Sequence, residues 1–204
     1  DILVFGAGAV GGYLGGRLAQ AGHKVTLVAR GPAYLAIQNN GLSVTEDDRQ
    51  VVTRPAVVSA LRQAFVDDAG YDLILVTMKA YDAQTALDEL VAFCPQPPPV
   101  ITLQNGIGIE EMYIEEFGAE HVIAGSLTTP LTHETYHSVV VERPDRGLAL
   151  APTQAEQNID AWINLFQEAG IETAGFADYL AMKWSKALLN MVGNATSAIL
   201  NRHP

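Results

Sequence analysis

Cysteine is almost missing from this sequence, since the 204 residues contain only Cys94. A single thiol cannot form an intramolecular disulfide, and Cys94 has no CxxC partner that would indicate a structural zinc site. A disulfide-stapled extracellular scaffold is therefore excluded, and a reducing, cytoplasmic location is the default expectation. The five histidines show no metal-ligand spacing, because even His133 and His137 precede a predicted strand rather than lie on a helix. We expect no bound metal.

Long hydrophobic runs are also missing. No stretch reaches the roughly 18 apolar residues that a membrane-spanning helix needs, and the chain starts with Asp1 where a signal peptide would carry basic residues. We therefore expect no membrane segment. There is no initiator Met, and the C-terminal "NRHP" follows directly on a helical run, so both ends are expected to be cut from a longer protein.

Basic residues are few, with 12 Lys and Arg against 23 Asp and Glu and a net charge of -11. This balance argues against nucleic-acid binding, because a protein that binds the phosphate backbone normally presents a basic surface. Acidic residues are in turn absent from residues 2–45, a window that contains Arg17, Lys24 and Arg30. Such a window could hold an anion, although chance and burial explain it equally well.

What the sequence does contain is an alternation of strand and helix patterns, which predicts an α/β fold with a Rossmann-like, doubly wound parallel sheet. Helices are predicted over residues 9–21, 81–93 and about 155–169, with a short one after Pro32. A hairpin is predicted in "LSVTEDDRQVVTRP", with its turn at residues 46–48. The other strands are predicted at "ILVF", "KVTLVAR", "DLILVTMK", "VITLQNG", "HVIAGSL", "SVVVER" and "GLALAP".

A glycine-rich stretch, "GAGAVGGYLGG", follows the first predicted strand and opens the first helix. Gly6, Gly8 and Gly11 match the GxGxxG motif, in which the glycines permit a tight turn, close approach of a pyrophosphate, and close packing of the helix on the strand. The helix-interior glycines after this motif indicate packing demands, because glycine lowers helix stability. The predicted dinucleotide-binding loop comprises Gly6, Ala7, Gly8, Ala9, Val10 and Gly11.

Polar residues at three further strand ends extend this predicted site. The second strand ends at Arg30, where an NAD-binding protein would carry an acidic residue for the ribose 2′-hydroxyl. A guanidinium suits a 2′-phosphate, so NADP is favoured over NAD. Lys79 ends the predicted strand "DLILVTMK", and Asn105 ends "VITLQNG". We expect both at the same sheet edge, where a lysine can support negative charge and an amide can orient a carbonyl group.

The last segment, "DYLAMKWSKALLNMVGNATSAIL", is predicted as a helix whose polar residues lie within an arc of about 80 degrees. These residues are Lys183, Lys186, Asn190, Asn194, Ser197 and Asn201. A solvated face would normally carry Glu, Lys and Gln, whereas asparagine is a poor helix former that is better explained by a hydrogen-bonding task. We therefore interpret this face as a functional site rather than as an ordinary solvent-exposed helix face.

Taken together, "GAGAVGG", "VAR", "VTMKAYD", "LQNGIG" and the Lys-x-x-x-Asn-x-x-x-Asn spacing of "KALLNMVGN" make the chain resemble the ketopantoate reductase (2-dehydropantoate 2-reductase) family over essentially its whole length. The resemblance implies NADPH-dependent reduction of 2-dehydropantoate to pantoate, on the route to pantothenate and coenzyme A. It implies that residues 6–11 with Arg30 and Lys79 hold NADPH and that Asn105 touches both cofactor and substrate. It further implies that Lys186 donates the proton while Asn190 and Asn194 bind the 2-oxo acid.

A lysine ammonium can stabilise a developing alkoxide and then protonate it, which fits this role. Lys183 lies on the same face, and only the family spacing selects Lys186 over it. The predicted domains are an NADP-binding domain, residues 1–175, and the first helix of a truncated helical substrate domain, residues 176–204.

Two departures and two alternatives remain open. Residues 195 and 196 are Ala and Thr, where the family often has Pro and an apolar residue, and the second domain that would contribute substrate contacts is missing. One alternative is a related NADPH-dependent reductase of another 2-oxo acid. The other is a non-catalytic NADPH-binding module, against which the retained Lys186 argues. The oligomeric state is not determined by the sequence, and a homodimer is left open.

Overall fold

The structure, a computed structural model, describes residues 1–66, 70–144 and 146–191. The strands are β1 (Ile2–Phe5), β2 (Val25–Val28), β3 (Leu42–Glu46), β4 (Arg49–Thr53), β5 (Ala56–Val58), β6 (Leu73–Val76), β7 (Val100–Thr102), β8 (Val122–Leu127), β9 (Leu131–Thr135), β10 (Ser138–Val141), β11 (Leu148–Pro152) and β12 (Thr173–Gly175). The helices are α1 (Ala9–Gln20), α2 (Pro32–Asn40), α3 (Leu61–Ala64), α4 (Ala83–Phe93), α5 (Ile109–Phe117), α6 (Asp160–Glu168) and α7 (Tyr179–Asn190).

The main sheet has eight strands in the order β12-β11-β8-β7-β6-β1-β2-β5. From β5 to β8 every neighbouring pair is parallel, and this strand order is that of a dinucleotide-binding Rossmann sheet. The predicted Rossmann-like fold is therefore confirmed. Both faces are covered: Val4 belongs to the core cluster on the α1 side, whereas Leu3 and Phe5 pack into the cluster that contains α4 and α5 residues.

One edge of the main sheet departs from the parallel pairing of the other strands. Strand β11 runs antiparallel to β8, and β12 is parallel to β11, so the last two strands are reversed. An antiparallel neighbour needs no helical crossover, and the connection from β8 to β11 is instead made by the hairpin of β9 and β10. Hydrophobic alternation does not distinguish the two strand directions, which is why the sequence pattern did not predict the reversal.

A second sheet, of four strands in the order β4-β3-β10-β9, packs beside α1. The predicted hairpin is found as β3 and β4, and its turn residues Asp47 and Asp48 have φ values of 46° and 63°, as a type I′ turn requires. The predicted strand "SVVVER" corresponds to β10, which pairs with β3 here and takes no place in the main sheet.

The glycines of α1 have their explanation in this arrangement, because the helix is packed between both sheets. A Cβ added at Gly15 would lie 3.1 Å from Leu27 in the main sheet, whereas one at Gly16 would lie 2.6 Å from Val44 in the second sheet. Larger side chains at these positions would push the helix away from one sheet or the other. Both sheets therefore require glycine on the side of α1 that faces them.

Some elements differ from the sequence-based expectations. The predicted helix over about 155–169 begins only at Asp160. The preceding residues form a loop instead, because the Gln157 side chain bonds to the Thr153 N–H and to the backbone carbonyl of Val122, and Glu156 has a φ of 66°. The sequence analysis did not predict β5, α3, α5, β9 and β12.

Candidate functional site

The glycine loop forms the turn between β1 and α1 at the carboxyl edge of the main sheet. Gly6 has a φ of +118°, and a Cβ added at Gly11 would lie only 1.8 Å from the Gly6 carbonyl oxygen. The Thr77 hydroxyl, from the end of β6, donates a hydrogen bond of 2.6 Å to the same oxygen. The turn is therefore closed tightly against the neighbouring strand.

Gly8 differs from its neighbours because it faces open space. No atom of the described residues lies within 4 Å of a Cβ added there. It is also the N-cap of α1, whose first turn carries no acidic residue, and unpaired N–H groups at a helix N-terminus attract anions. The loop thus leaves room for a phosphate-sized anion directly beside the backbone.

A cavity of about 520 Å³ opens in front of this loop. The ends of four parallel strands, β2, β1, β6 and β7, contribute to its wall, so the predicted edge-of-sheet site is one continuous space. Among the residues predicted to bind the cofactor, Gly11 alone does not line the cavity, because it serves the packing of α1. The lining residues from that set are Gly6, Ala7, Gly8, Ala9, Val10, Arg30, Lys79 and Asn105.

Arg30 lies at the rim of the cavity with about half of its side chain exposed. Its guanidinium pairs with Glu89 of α4, with 2.5 Å between Nη2 and Oε1. This partner was not anticipated from the sequence. A single contact leaves most of the five guanidinium donors available to another anion, so the arginine is held near the cavity while it remains able to bind a ligand.

A second, much smaller cleft of about 20 Å³ lies beside the first and is lined by Asn105, Ser126, Lys186, Ala187 and Asn190, among others. Its free volume is about that needed for one water molecule. Gln104 and Asn105 line both spaces, so the residues that end β7 form the boundary between them. The buried Gln104 Oε1 accepts no hydrogen bond from the described residues.

Helix α7 turns its polar side toward this cleft and leaves several large apolar side chains exposed, among them Trp184 and Leu189. The structure thus brings Lys186 and Asn190 together with Asn105. Asn194, together with Ser197 and Asn201, lies outside the described residues.

Lys186 is partly buried, and its Nζ donates a hydrogen bond of 2.5 Å to the carbonyl oxygen of Leu127 at the end of β8. An ammonium group has three donor hydrogens, so two stay available. Burial and, to a smaller extent, the positive charge of Lys183 together lower the pKa of Lys186 from its usual value to about 8. The side chain therefore holds a proton at neutral pH and can release it within reach of physiological conditions.

Lys183 has a different environment, which the sequence analysis did not foresee. Its side chain is only 4% exposed and forms an ion pair of 2.7 Å with Glu110, which is 1% exposed. Lys183 Nζ also donates to the carbonyl oxygen of Gln104 at 3.0 Å. Lys183 therefore belongs to the interior between α7 and α5, although it shares a helix face with Lys186.

The residues that sequence reasoning missed are Gln104, Glu110 and Thr102. Gln104 stands inside the quoted "LQNG" motif and could have been found there, whereas an acid in the first turn of α5 gives no hint that it is buried. Among the described residues, no helix is long and apolar enough to cross a membrane, and no group of three or more His, Cys, Asp or Glu could hold a metal ion.

Comparison with known proteins gives a consistent family assignment. The model of the family described as "Ketopantoate reductase PanE/ApbA" matches residues 2–151. The 2-dehydropantoate 2-reductase of Pyrococcus horikoshii is 32% identical over 98% of this chain and 64% of its own length. That of Halobacterium salinarum is 31% identical over 97% of this chain and 65% of its own. The chain thus spans somewhat less than two thirds of these relatives.

Solved structures show the same similarity. A 2-dehydropantoate 2-reductase from Geobacter metallireducens superimposes with a TM-score of 0.87 at 26% identity, over 98% of this chain and 65% of that one. A D-mandelate dehydrogenase, solved with NADH and anilino(oxo)acetate, has a TM-score of 0.86 at 22% identity over 98% of this chain and 65% of its own. The second likeness shows the fold alone.

The two glycines of the loop make a matched test. Gly8→Ala introduces a methyl group into open space at an ordinary backbone conformation, with φ -74° and ψ -173°. It should leave thermal unfolding unchanged and weaken dinucleotide binding by about tenfold or more in calorimetry, a loss of about 1.4 kcal/mol. Gly11→Ala should instead lower the free energy of unfolding by about 1–3 kcal/mol. Equal binding by wild type and Gly8→Ala would contradict this assignment of the open side.

Proposed function

Because the chain belongs to the ketopantoate reductase PanE/ApbA family, we propose that it is the cofactor-binding part of an NADPH-dependent 2-dehydropantoate 2-reductase. The reaction would produce pantoate for pantothenate and coenzyme A in the cytoplasm. One observation carries the proposal: the cavity with the glycine loop and the cleft with Lys186 meet at Gln104 and Asn105. A hydride donor held in the cavity would then lie close to the Lys186 ammonium.

The described residues fit a dinucleotide in three respects. The open side of Gly8 leaves room for a pyrophosphate at the N-terminus of α1. Arg30 and Lys79 supply positive charge at the cavity, and no acidic residue ends β2 where NAD would be expected to find one. The buried Gln104 Oε1, which lacks a partner among the described residues, can accept a hydrogen bond from an amide at the boundary.

In this proposal Lys186 is the general acid. NADPH held by the glycine loop and Arg30 would supply the hydride that the carbonyl carbon of the 2-oxo acid accepts. The Lys186 ammonium stabilises the negative charge that develops on the carbonyl oxygen and donates its proton to it, which yields the hydroxyl group. Its bond to the Leu127 carbonyl holds the ammonium at the cleft beforehand and so reduces the orientational cost of the step.

Asn105 and Asn190 are proposed to hold the substrate, and Asn194, which lies outside the described residues, is proposed as a third contact. Asn105 lines both spaces and can contact cofactor and substrate together, whereas Asn190 lines only the small cleft. The substrate class rests on the family. A related reductase of another 2-oxo acid is the second candidate, because this fold also serves a D-mandelate dehydrogenase, and a panel of 2-oxo acids with NADPH distinguishes the two.

We further propose that the cofactor domain comprises residues 1–175 and that residues 176–204 begin a helical substrate domain. Support comes from the end of the last strand at Gly175 and from the exposed apolar side of α7, including Trp184 and Leu188. The relatives from Pyrococcus horikoshii and Halobacterium salinarum are also longer than this chain.

The choice of cofactor can be tested at Arg30. Arg30→Ala should raise the KM for NADPH by about tenfold or more, because a charge-assisted bond to the 2′-phosphate is lost, and should leave weak NADH use nearly unchanged. Arg62→Ala, at an exposed position of α3 away from the cavity, is the control. Equal losses of both cofactors would contradict the 2′-phosphate assignment.

The role of Lys186 predicts both a rate and a pH dependence. In the full-length protein, Lys186→Ala should lower kcat by about 10²- to 10⁴-fold, the usual effect of general acid catalysis, with NADPH affinity near that of wild type. In the wild type, kcat should be sustained below the lowered pKa of about 8 and fall as the pH rises through it, because the ammonium donor is lost. A Lys186→Ala variant with near-normal kcat would overturn the assignment.

The substrate asparagine is tested by a different kinetic signature. Asn190→Ala should mainly raise the KM for the 2-oxo acid while the KM for NADPH stays constant, because Asn190 lines the small cleft and not the larger cavity. Asn40→Ala, on the exposed end of α2, is the control. A rise in the KM for NADPH alone would place Asn190 with the cofactor instead.

A further inference from the structure

Lys183 and Glu110 form a buried ion pair that joins three separate elements. Lys183 lies on α7, and Glu110 lies in the first turn of α5. The Glu110 carboxylate also accepts a hydrogen bond of 2.6 Å from the Thr102 hydroxyl at the end of β7. The pair therefore links α7, α5 and β7 at one point, next to the loop that carries Asn105.

Burial of two charges is unfavourable unless their geometry and remaining hydrogen bonds are good. Here each charge has a second partner: Lys183 donates to the Gln104 carbonyl, and Glu110 accepts from Thr102 and lies at the N-terminal end of a helix. Apolar residues would stabilise such a helix contact as well or better. A function in specifying geometry or charge explains the pair better than stability does.

The pair lies directly beside the proposed proton donor. Lys186 is one turn beyond Lys183 on α7, and both side chains line the small cleft. The backbone oxygen that Lys183 holds belongs to Gln104, which precedes Asn105. The positions of the donor lysine and of the boundary residues are thus set by the same group.

Few other charges of the described residues lie near Lys186. On its own helix the charged neighbour is Lys183, and α5 contributes Glu110 and Glu111, of which Glu111 accepts a hydrogen bond from Tyr179. Strands β8 and β11, which pack against α7 and are described in full, carry no ionisable side chain. The positive charge of Lys183 adds to burial in lowering the pKa of Lys186.

We propose that Lys183 and Glu110 are a positioning pair for the reductase reaction: the pair orients α7 so that Lys186 faces the cleft, and Lys183 places a second positive charge beside it. The proposal rests on the proposed function, in which Lys186 donates the proton. Neither residue of the pair needs to touch the substrate.

The first test uses Lys183→Met in the full-length protein, with Lys24→Met as the control, since Lys24 is 88% exposed and remote from the cleft. We expect kcat to fall roughly 10- to 100-fold, because small misplacements of a catalytic group are costly, while the KM for NADPH stays within about twofold. The alkaline fall in kcat should move to higher pH, because the neighbouring positive charge no longer disfavours the Lys186 ammonium. A merely structural role would lower stability and kcat without moving the pH profile.

The second test removes both charges. Lys183→Met leaves Glu110 buried without its partner, whereas the double variant Lys183→Met with Glu110→Gln leaves no lone charge. The double variant should unfold at a higher temperature than Lys183→Met and should retain the alkaline shift. If the single variant does not fold, the pH dependence of kcat can be measured on the double variant. If the kcat of the double variant fell at the same alkaline pH as the kcat of the wild type, the proposal would be overturned.

A third measurement separates this proposal from the proposed function. The Lys186 Nζ can be titrated by NMR with 13C-labelled lysine in protein free of cofactor, with the signal assigned by Lys186→Arg. Its pKa should be higher in Lys183→Met than in wild type, whether or not Lys186 is the proton donor. An unchanged Lys186 pKa in Lys183→Met would overturn the proposal that the charge of Lys183 acts on Lys186. A raised pKa in Lys183→Met together with a normal kcat in Lys186→Ala would instead overturn the proposed function.

Discussion

The close contact between α1 and the turn after β1 is the constraint on which the site depends. At Gly11 the helix approaches the Gly6 carbonyl so closely that a methyl group would overlap it, and the second sheet holds the helix from the opposite side. With α1 fixed in this way, its N-terminus faces the cavity and Gly8 stays open toward it. A helix packed against one sheet alone would not need glycines on two sides, so the extra glycines reflect the second sheet as much as the ligand.

Charge is distributed unevenly in this acidic protein, and the distribution serves the site. Three cations at the cavity and the small cleft have a defined partner: Arg30 is held by Glu89, Lys183 by Glu110, and Lys186 by a backbone carbonyl. Arg30 is half exposed, so its ion pair contributes little to stability and serves mainly to keep the guanidinium near the cavity. Lys186 has no carboxylate partner among the described residues, which is why burial lowers its pKa and makes proton release easier.

The site brings together chain segments that lie far apart in sequence. The parallel strands β2, β1, β6 and β7 deliver their following residues to one edge, and α7 crosses that edge beside β8. Gln104 and Asn105 then stand between a large and a small space. In the proposed function the large space would hold the cofactor, and residues around the small cleft, such as Asn190, would contact the substrate.

The sequence by itself determined the Rossmann-like core, the glycine loop, and the strand-end residues Arg30, Lys79 and Asn105, because each depends on local pattern or on the rule that parallel strands end at one edge. It also led to the prediction of a functional role for the polar face of α7. Only the tertiary structure decided that β11 and β12 reverse direction, that β10 joins a second sheet, and that residues 155–159 do not begin a helix. The tertiary structure alone showed that the side chains of Lys183 and Lys186 have different environments. The two share a helix face in the sequence pattern, but their environments depend on Glu110 and Leu127, residues 73 and 59 positions away, and no local pattern encodes such partners.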